Sequence, residues 1–65
     1  MTIFEMGLMK MYVIEYYGGY VGDAVNGQIQ TTFSPFTAKQ FWSEMDAQNF
    51  MYQHGIAFMG KIVRM

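Results

Sequence analysis

The side chains most able to do chemistry in this 65-residue sequence are one histidine and a few carboxylates. The carboxylates beyond the N-terminal segment are Glu15, Asp23, Glu44 and Asp46. A general base needs a carboxylate that orients it and a nucleophile within hydrogen-bonding reach. No spacing ties His54 to any of these acids, so we predict a structural histidine and a protein that is not an enzyme.

Metal and phosphate sites are equally hard to build from these residues. The chain has no cysteine and a single histidine, which excludes thiolate zinc sites and multi-histidine sites. The glycine-rich run at residues 18–22 is followed by neither a helix nor a Lys-Ser/Thr pair, as a phosphate-binding loop requires. We therefore expect no cofactor.

The acids and serines fit helix termini better than catalysis. Ser34 followed by Pro35 predicts a short helical turn over residues 36–41. Ser43 predicts the N-cap of a second helix, because acids follow it in the first turn. The apolar stripe of that helix has i, i+3, i+4, i+7 spacing and ends at Gly55: Ala47, Phe50, Met51 and His54.

Residues 11–33 predict three antiparallel strands. The first covers residues 11–17, and Gly18-Gly19 predicts a two-residue turn into a second strand over residues 20–25. Gly22 indicates a bulge in that strand. Asn26-Gly27 predicts the next turn, and residues 28–33 alternate. On this third strand the inward side chains are Ile29, Thr31 and Phe33, and the outward ones are Gln28, Gln30 and Thr32. One long hairpin with a bulge at Gly18-Gly19 is the alternative.

The predicted fold is α+β: a small antiparallel sheet in a β-meander, then a helix packed on one face, then a final strand. That strand covers residues 56–65, and a right-handed crossover would place it parallel to a meander strand. Residues 11–65 form a single domain. Residues 1–10 are either an N-terminal arm that adds a strand or a poorly ordered extension.

Composition predicts an exposed apolar surface. Hydrophobic residues make up 52% of the chain and charged residues 14%, against about 25% charged in ordinary domains. So small a domain cannot bury all of this apolar surface, and exposed patches mark interfaces. We expect a homodimer or higher oligomer, or a complex with a protein partner.

Charge and hydropathy limit the other partners. The net charge is −1 and the four basic residues are scattered, so nucleic acid is not an expected ligand. No run of 18 apolar residues predicts a membrane span, and residues 1–10 lack the features of a secretory signal. A cytoplasmic protein is expected.

Tyrosine, tryptophan and glutamine side chains are the best candidates for partner binding. Tyrosine offers wide contact area and is enriched at interface hot spots. The predicted binding residues are Tyr16, Tyr17, Tyr20, Gln28, Gln30 and Trp42. For the tyrosines the alternative role is cross-strand pairing within the sheet. Five methionines are further contact candidates, because methionine repacks easily, although methionines also fill core gaps: Met6, Met9, Met11, Met59 and Met65. We expect the function on the sheet face that the helix leaves uncovered.

Three runs carry a resemblance to a known class of protein. They are residues 12–14 (YVI), residues 19–22 (GYVG) and residues 38–47, which read A-x-x-F-x-S-x-x-D-A. Over residues 11–63 the chain resembles small accessory proteins of bacteriophages and prophages. Some of these bind and block host factors, including defence systems such as CRISPR effectors. The resemblance implies an inhibitor that acts in the host cytoplasm on a host protein complex.

Two other functions stay open from the residues. An oligomer could sequester a small ligand such as a nucleotide, with tyrosines stacking on the base and Gln28 and Gln30 binding its edge. A structural or assembly subunit could use its apolar surfaces only to build an oligomer.

Overall fold

The computed structural model describes residues 11–65, which fold as one α+β domain. The elements are β1 (Tyr12–Tyr16), β2 (Gly19–Val25), β3 (Gln28–Thr32), α1 (Glu44–Gln53) and β4 (Gly60–Arg64). They form a four-stranded antiparallel sheet in the order β3-β2-β1-β4, so the predicted class and meander are confirmed. The predicted arm, residues 1–10, lies outside the described residues. Within residues 11–65 no helix is long and apolar enough to cross a membrane.

Both hairpin turns use two residues with positive φ. Asn26 and Gly27 (φ 53° and 79°) form the predicted turn between β2 and β3. The β1–β2 turn is Tyr17-Gly18 (φ 50° and 79°), one residue earlier than predicted. Gly19 belongs to β2 instead, where a Cβ would lie 2.8 Å from the Thr32 carbonyl oxygen. The sheet therefore needs glycine at position 19, and the turn moves onto Tyr17.

The middle of β2 carries the predicted bulge. The register with β3 shifts between Val21 and Asp23, which leaves Gly22 as the extra residue. From the bulge to the end of β2, this strand is separated from β1, since the two strands pair only at their Tyr16–Gly19 end.

The chain between β3 and α1 fills the gap that this separation leaves. A turn follows β3, closed by the Thr37 N–H on the Ser34 carbonyl, and an extended segment at residues 39–41 comes next. The Lys39 N–H donates to the Val21 carbonyl at 2.9 Å, and Phe41 and Tyr12 exchange backbone hydrogen bonds of 2.8 and 2.9 Å. The helical turn predicted over residues 36–41 is therefore wrong, because backbone groups of β1 and β2 hold residues 39–41 extended.

The same segment decides the direction of β4. It runs antiparallel to β1, so α1 begins at the Tyr12 end of β1 and the chain returns to the Tyr16 end before β4. β4 then pairs antiparallel with β1, from Tyr16–Gly60 to Tyr12–Arg64. The predicted parallel pairing is wrong, because the segment at residues 39–41 brings the chain to the Tyr12 end of β1 before α1 begins. The last strand also starts at Gly60 rather than residue 56, since residues 56–59 form a turn closed by the Ile56 carbonyl.

The helix begins and ends where its capping residues predict. Ser43 accepts the Asp46 N–H on its hydroxyl at 3.1 Å, His54 is the C-cap, and Gly55 follows with φ 70°. The predicted stripe packs on one face of the sheet, and the His54 ring lies 4.3 Å from the Phe50 ring. The core cluster is Ile14, Val21, Phe41, Ala47, Phe50, Met51 and Ile56.

Two expectations about sheet faces fail. Phe33 and Thr31, predicted to face inward, are exposed, and Phe33 lies just past the end of β3. The face opposite α1 is also less open than composition predicts. Val13 points to that face, because Ile14 beside it points to the helix, and Val13 has no exposed surface.

Candidate functional site

Large apolar side chains collect at one end of the sheet, where β1 ends and β4 begins. The β1–β2 turn lies here because Tyr16 pairs with Gly19. The end of β3 lies here because Thr32 pairs with Tyr20, and the α1–β4 turn lies here because Gly60 pairs with Tyr16. These connections carry four side chains that we call the aromatic end: Tyr17, Phe33, Phe58 and Met59.

The aromatic end is exposed to an unusual degree for such residue types. The exposed fractions are 94% for Phe33, 75% for Tyr17 and 53% for Met59, and Phe58 is fully exposed. The residues cap all four strands, so they extend over roughly 15 Å at about 4.8 Å per strand spacing. Exposed apolar side chains gathered in this way are typical of interaction sites.

Tyr17 connects the two turns of this surface. Its hydroxyl donates to the Met59 thioether sulfur at 2.9 Å. Its ring meets the Tyr16 ring edge to face, with centroids 4.6 Å apart. Because Tyr16 packs against the core, this contact anchors the exposed ring of Tyr17 to the body of the domain.

The backbone at Tyr17 is strained, whereas the backbone at the matching position of the β2–β3 turn is not. Tyr17 and Asn26 occupy the same first turn position with nearly equal φ, 50° and 53°. That position favours asparagine, aspartate or glycine, and a bulky residue there is uncommon. Strain held at an exposed position is characteristic of functional surfaces. The turn alone therefore favours a different residue at position 17.

The predicted binding residues fall in four places. Tyr16 and Tyr17 lie together at the aromatic end, with Tyr16 half-buried on the helix face. Tyr20 pairs with Glu15 on the opposite face, so it does not join them.

The other three predicted residues lie away from the tyrosines. Gln28 and Gln30 are exposed on β3, with Gln28 beside the Asn26-Gly27 turn at the far end of the sheet. Trp42 is exposed next to the N-cap of α1, also at the far end. The six residues therefore do not make one continuous surface.

Phe33 and Phe58 are surface residues that the sequence pattern does not predict. Both were assigned to strands, and each lies in the chain next to a strand end instead. For Phe58 the sequence contains a signal of exposure, because Gly60 follows it by two residues. A strand that starts at that glycine leaves Phe58 in the connection before the strand. Met59 was identified as a contact candidate by residue type alone.

The polar groups of the described residues are scattered. Within residues 11–65 no three His, Asp or Glu side chains come close enough to share a metal ion, and no pocket is enclosed. Among the described residues one ion pair joins Lys39 Nζ to Asp23 Oδ1 at 3.9 Å, and the Lys39 and Asp23 side chains are 39% and 63% exposed.

Comparison of the chain with protein-family models, curated proteins and solved structures finds no match.

Proposed function

We propose that this chain is a non-enzymatic binding protein that docks a protein partner through the aromatic end and blocks it. The observation that carries the proposal is the exposure of Tyr17, Phe33, Phe58 and Met59 on connections that the sheet register gathers at one end.

The residue types suit a protein surface as ligand. Interface hot spots are rich in large aromatic side chains that enter pockets of the partner. Phe33 and Phe58 project from the ends of strands and are free to enter such pockets, while Met59 adapts its shape. Tyr17 supplies a ring that its contacts with Tyr16 and Met59 already orient, which lowers the entropy lost on binding.

The class of partner follows from the resemblance to small phage accessory proteins. We propose a host protein complex, with a defence complex as the first one to test, and action in the host cytoplasm. Blocking requires only that the bound domain covers a working surface of the partner, so it needs no chemistry from the chain.

The test is affinity capture from bacterial lysate with the native chain and two double variants. Phe33→Ser with Phe58→Ser removes two aromatic side chains from the aromatic end. Val25→Ser with Met45→Ser removes two exposed apolar side chains at the other end of the sheet and serves as the matched control. The native chain and the control are expected to retain the same partner, and the Phe33/Phe58 variant is expected to lose it.

Two outcomes contradict the proposal. One is a native chain that recovers no specific partner. The other is a partner that the Phe33/Phe58 variant retains as well as the native chain does. If the partner is a defence complex, expression of the native chain also raises phage plating on a host with that defence, and the Phe33/Phe58 variant does not.

A further inference from the structure

The outer edge of β3 has backbone hydrogen-bonding groups directed away from the sheet. Gln28 follows a two-residue turn and is hydrogen-bonded to β2, and alternation gives Gln30 and Thr32 the same orientation. The N–H and C=O groups of Ile29 and Thr31 therefore point outward. Within residues 11–65 no strand lies beyond them, and the side chains of Gln30 and Thr31 are exposed.

This edge lacks the features that normally prevent strand pairing. Natural edge strands are protected by lysine, proline or inward charges. β4, at the opposite edge, carries Lys61 and Arg64. β3 reads QIQTT, with neither charge nor proline, and its five residues contain no bulge of their own.

The register of β3 is also self-complementary. When two antiparallel copies are centred on Gln30, the outward groups of Ile29 in one copy meet those of Thr31 in the other. The two Gln30 side chains then lie side by side on the face opposite α1, and each amide has a donor and an acceptor for the other. α1 packs over β1 and β4, away from this edge, so the helices do not obstruct the pairing.

We propose that β3 is a dimerisation edge, at which a second copy of this chain adds its own β3 antiparallel about a two-fold axis at Gln30. The result is a continuous eight-stranded sheet with an aromatic end on each copy. The paired residues, 28–32, include none of the four residues of the aromatic end, so dimerisation and partner binding can be tested with separate variants.

Disulfide trapping with single-cysteine variants tests this register. The chain has no cysteine, so only an introduced thiol reacts. In the proposed pairing the two copies of residue 30 have Cα atoms about 4.5 Å apart, which lies within the range a disulfide spans. The two copies of residue 28 are four positions apart, or roughly 13 Å, which is too far. Mild oxidation should convert the Gln30→Cys chain to a covalent dimer, whereas the Gln28→Cys chain, the matched control, should form no covalent cross-link.

A second variant tests the hydrogen bonds. Thr31→Pro removes an outward N–H that the β2–β3 ladder does not use, so the fold should persist by circular dichroism while light scattering shows that the native dimer is lost. Phe58→Ala should leave the dimer unchanged.

Several results overturn the proposal: a native chain that is monomeric at every concentration, equal trapping of the two cysteine variants, or a folded Thr31→Pro chain that still dimerises. If Thr31→Pro does not fold, the cysteine pair decides alone. A native chain that is monomeric at every concentration but still captures its partner would refute this interface and leave the proposed function standing.

Discussion

Tyr17 is the single residue at which local structure and the proposed function conflict. It occupies a left-handed turn position that the second hairpin gives to Asn26, with almost the same φ. An L-residue with a bulky side chain is less stable there than asparagine or glycine. Its hydroxyl and ring contacts with Met59 and Tyr16 offset part of that cost.

Replacing Tyr17 with asparagine should separate stability from binding. Tyr17→Asn creates the Asn-Gly turn that β-hairpins prefer, and we expect a gain of about 0.5–1 kcal/mol in the free energy of unfolding. The same change should weaken partner binding, because it removes an exposed aromatic ring. Urea denaturation measures the first effect, and a binding titration with the captured partner measures the second.

The reverse exchange at the other turn is the control. Asn26→Tyr should destabilise the chain by a similar amount and leave partner binding unchanged, since Asn26 lies at the far end of the sheet. A Tyr17→Asn chain that is less stable than the native chain would contradict the assignment of strain to this position.

At the scale of elements, the extended segment at residues 39–41 organises the fold. It occupies the gap between β1 and β2, bonds to both, and sets the end of the sheet at which α1 begins. Phe41 from this segment enters the core and lies 5.3 Å from the Phe50 ring. A connection that lies between two strands in this way behaves as part of the sheet.

Amide hydrogen exchange tests that role. The amides of Lys39 and Phe41 donate to carbonyls of β2 and β1, so we expect protection close to that of Val13, which lies opposite Val63 in the β1–β4 pair. The Gln40 N–H has no acceptor among residues 11–65 and is the internal control, which should exchange faster. Rapid exchange of all three amides would show that the segment is an ordinary loop.

The elements with strong local signals are predictable from sequence, and the segments between them are not. Ser43, the apolar stripe and Gly55 determine α1, and Asn26-Gly27 determines the second hairpin. Residues 39–41 carry no strand-like alternation and are held by partners distant in the chain, which no local pattern records. The direction of β4 depends on that segment, so the predicted direction of β4 is wrong as well.

The candidate site is less predictable than the fold for a related reason. Tyr17 was identified by residue type, whereas Phe33 and Phe58 were assigned to strands that end before them or begin after them. Strand ends are the least reliable feature of a sequence-based assignment, and they decide here which aromatic residues are exposed. Only the sheet register brings Phe33, Tyr17 and Phe58 to the same end.

For the whole molecule, burial and exposure are divided between different parts of the domain. The core lies between α1 and one sheet face, and it contains no buried polar or charged side chain among the described residues. On the opposite face Val13 has no exposed surface, and four of the ten large exposed apolar side chains among residues 11–65 lie at the aromatic end. We therefore propose partner binding at one end of the sheet and dimerisation at its β3 edge.

The most direct test of the central claim is the dissociation constant of the captured partner for three chains: native, Phe58→Ala and Trp42→Ala. Both substitutions remove one exposed aromatic side chain, at the aromatic end and at the far end of the sheet respectively. A hot-spot residue contributes about 2 kcal/mol or more, so Phe58→Ala should raise the dissociation constant about 30-fold, and Trp42→Ala should change it less than about twofold. An unchanged value for Phe58→Ala, or a larger loss for Trp42→Ala, would contradict the assignment of partner binding to the aromatic end.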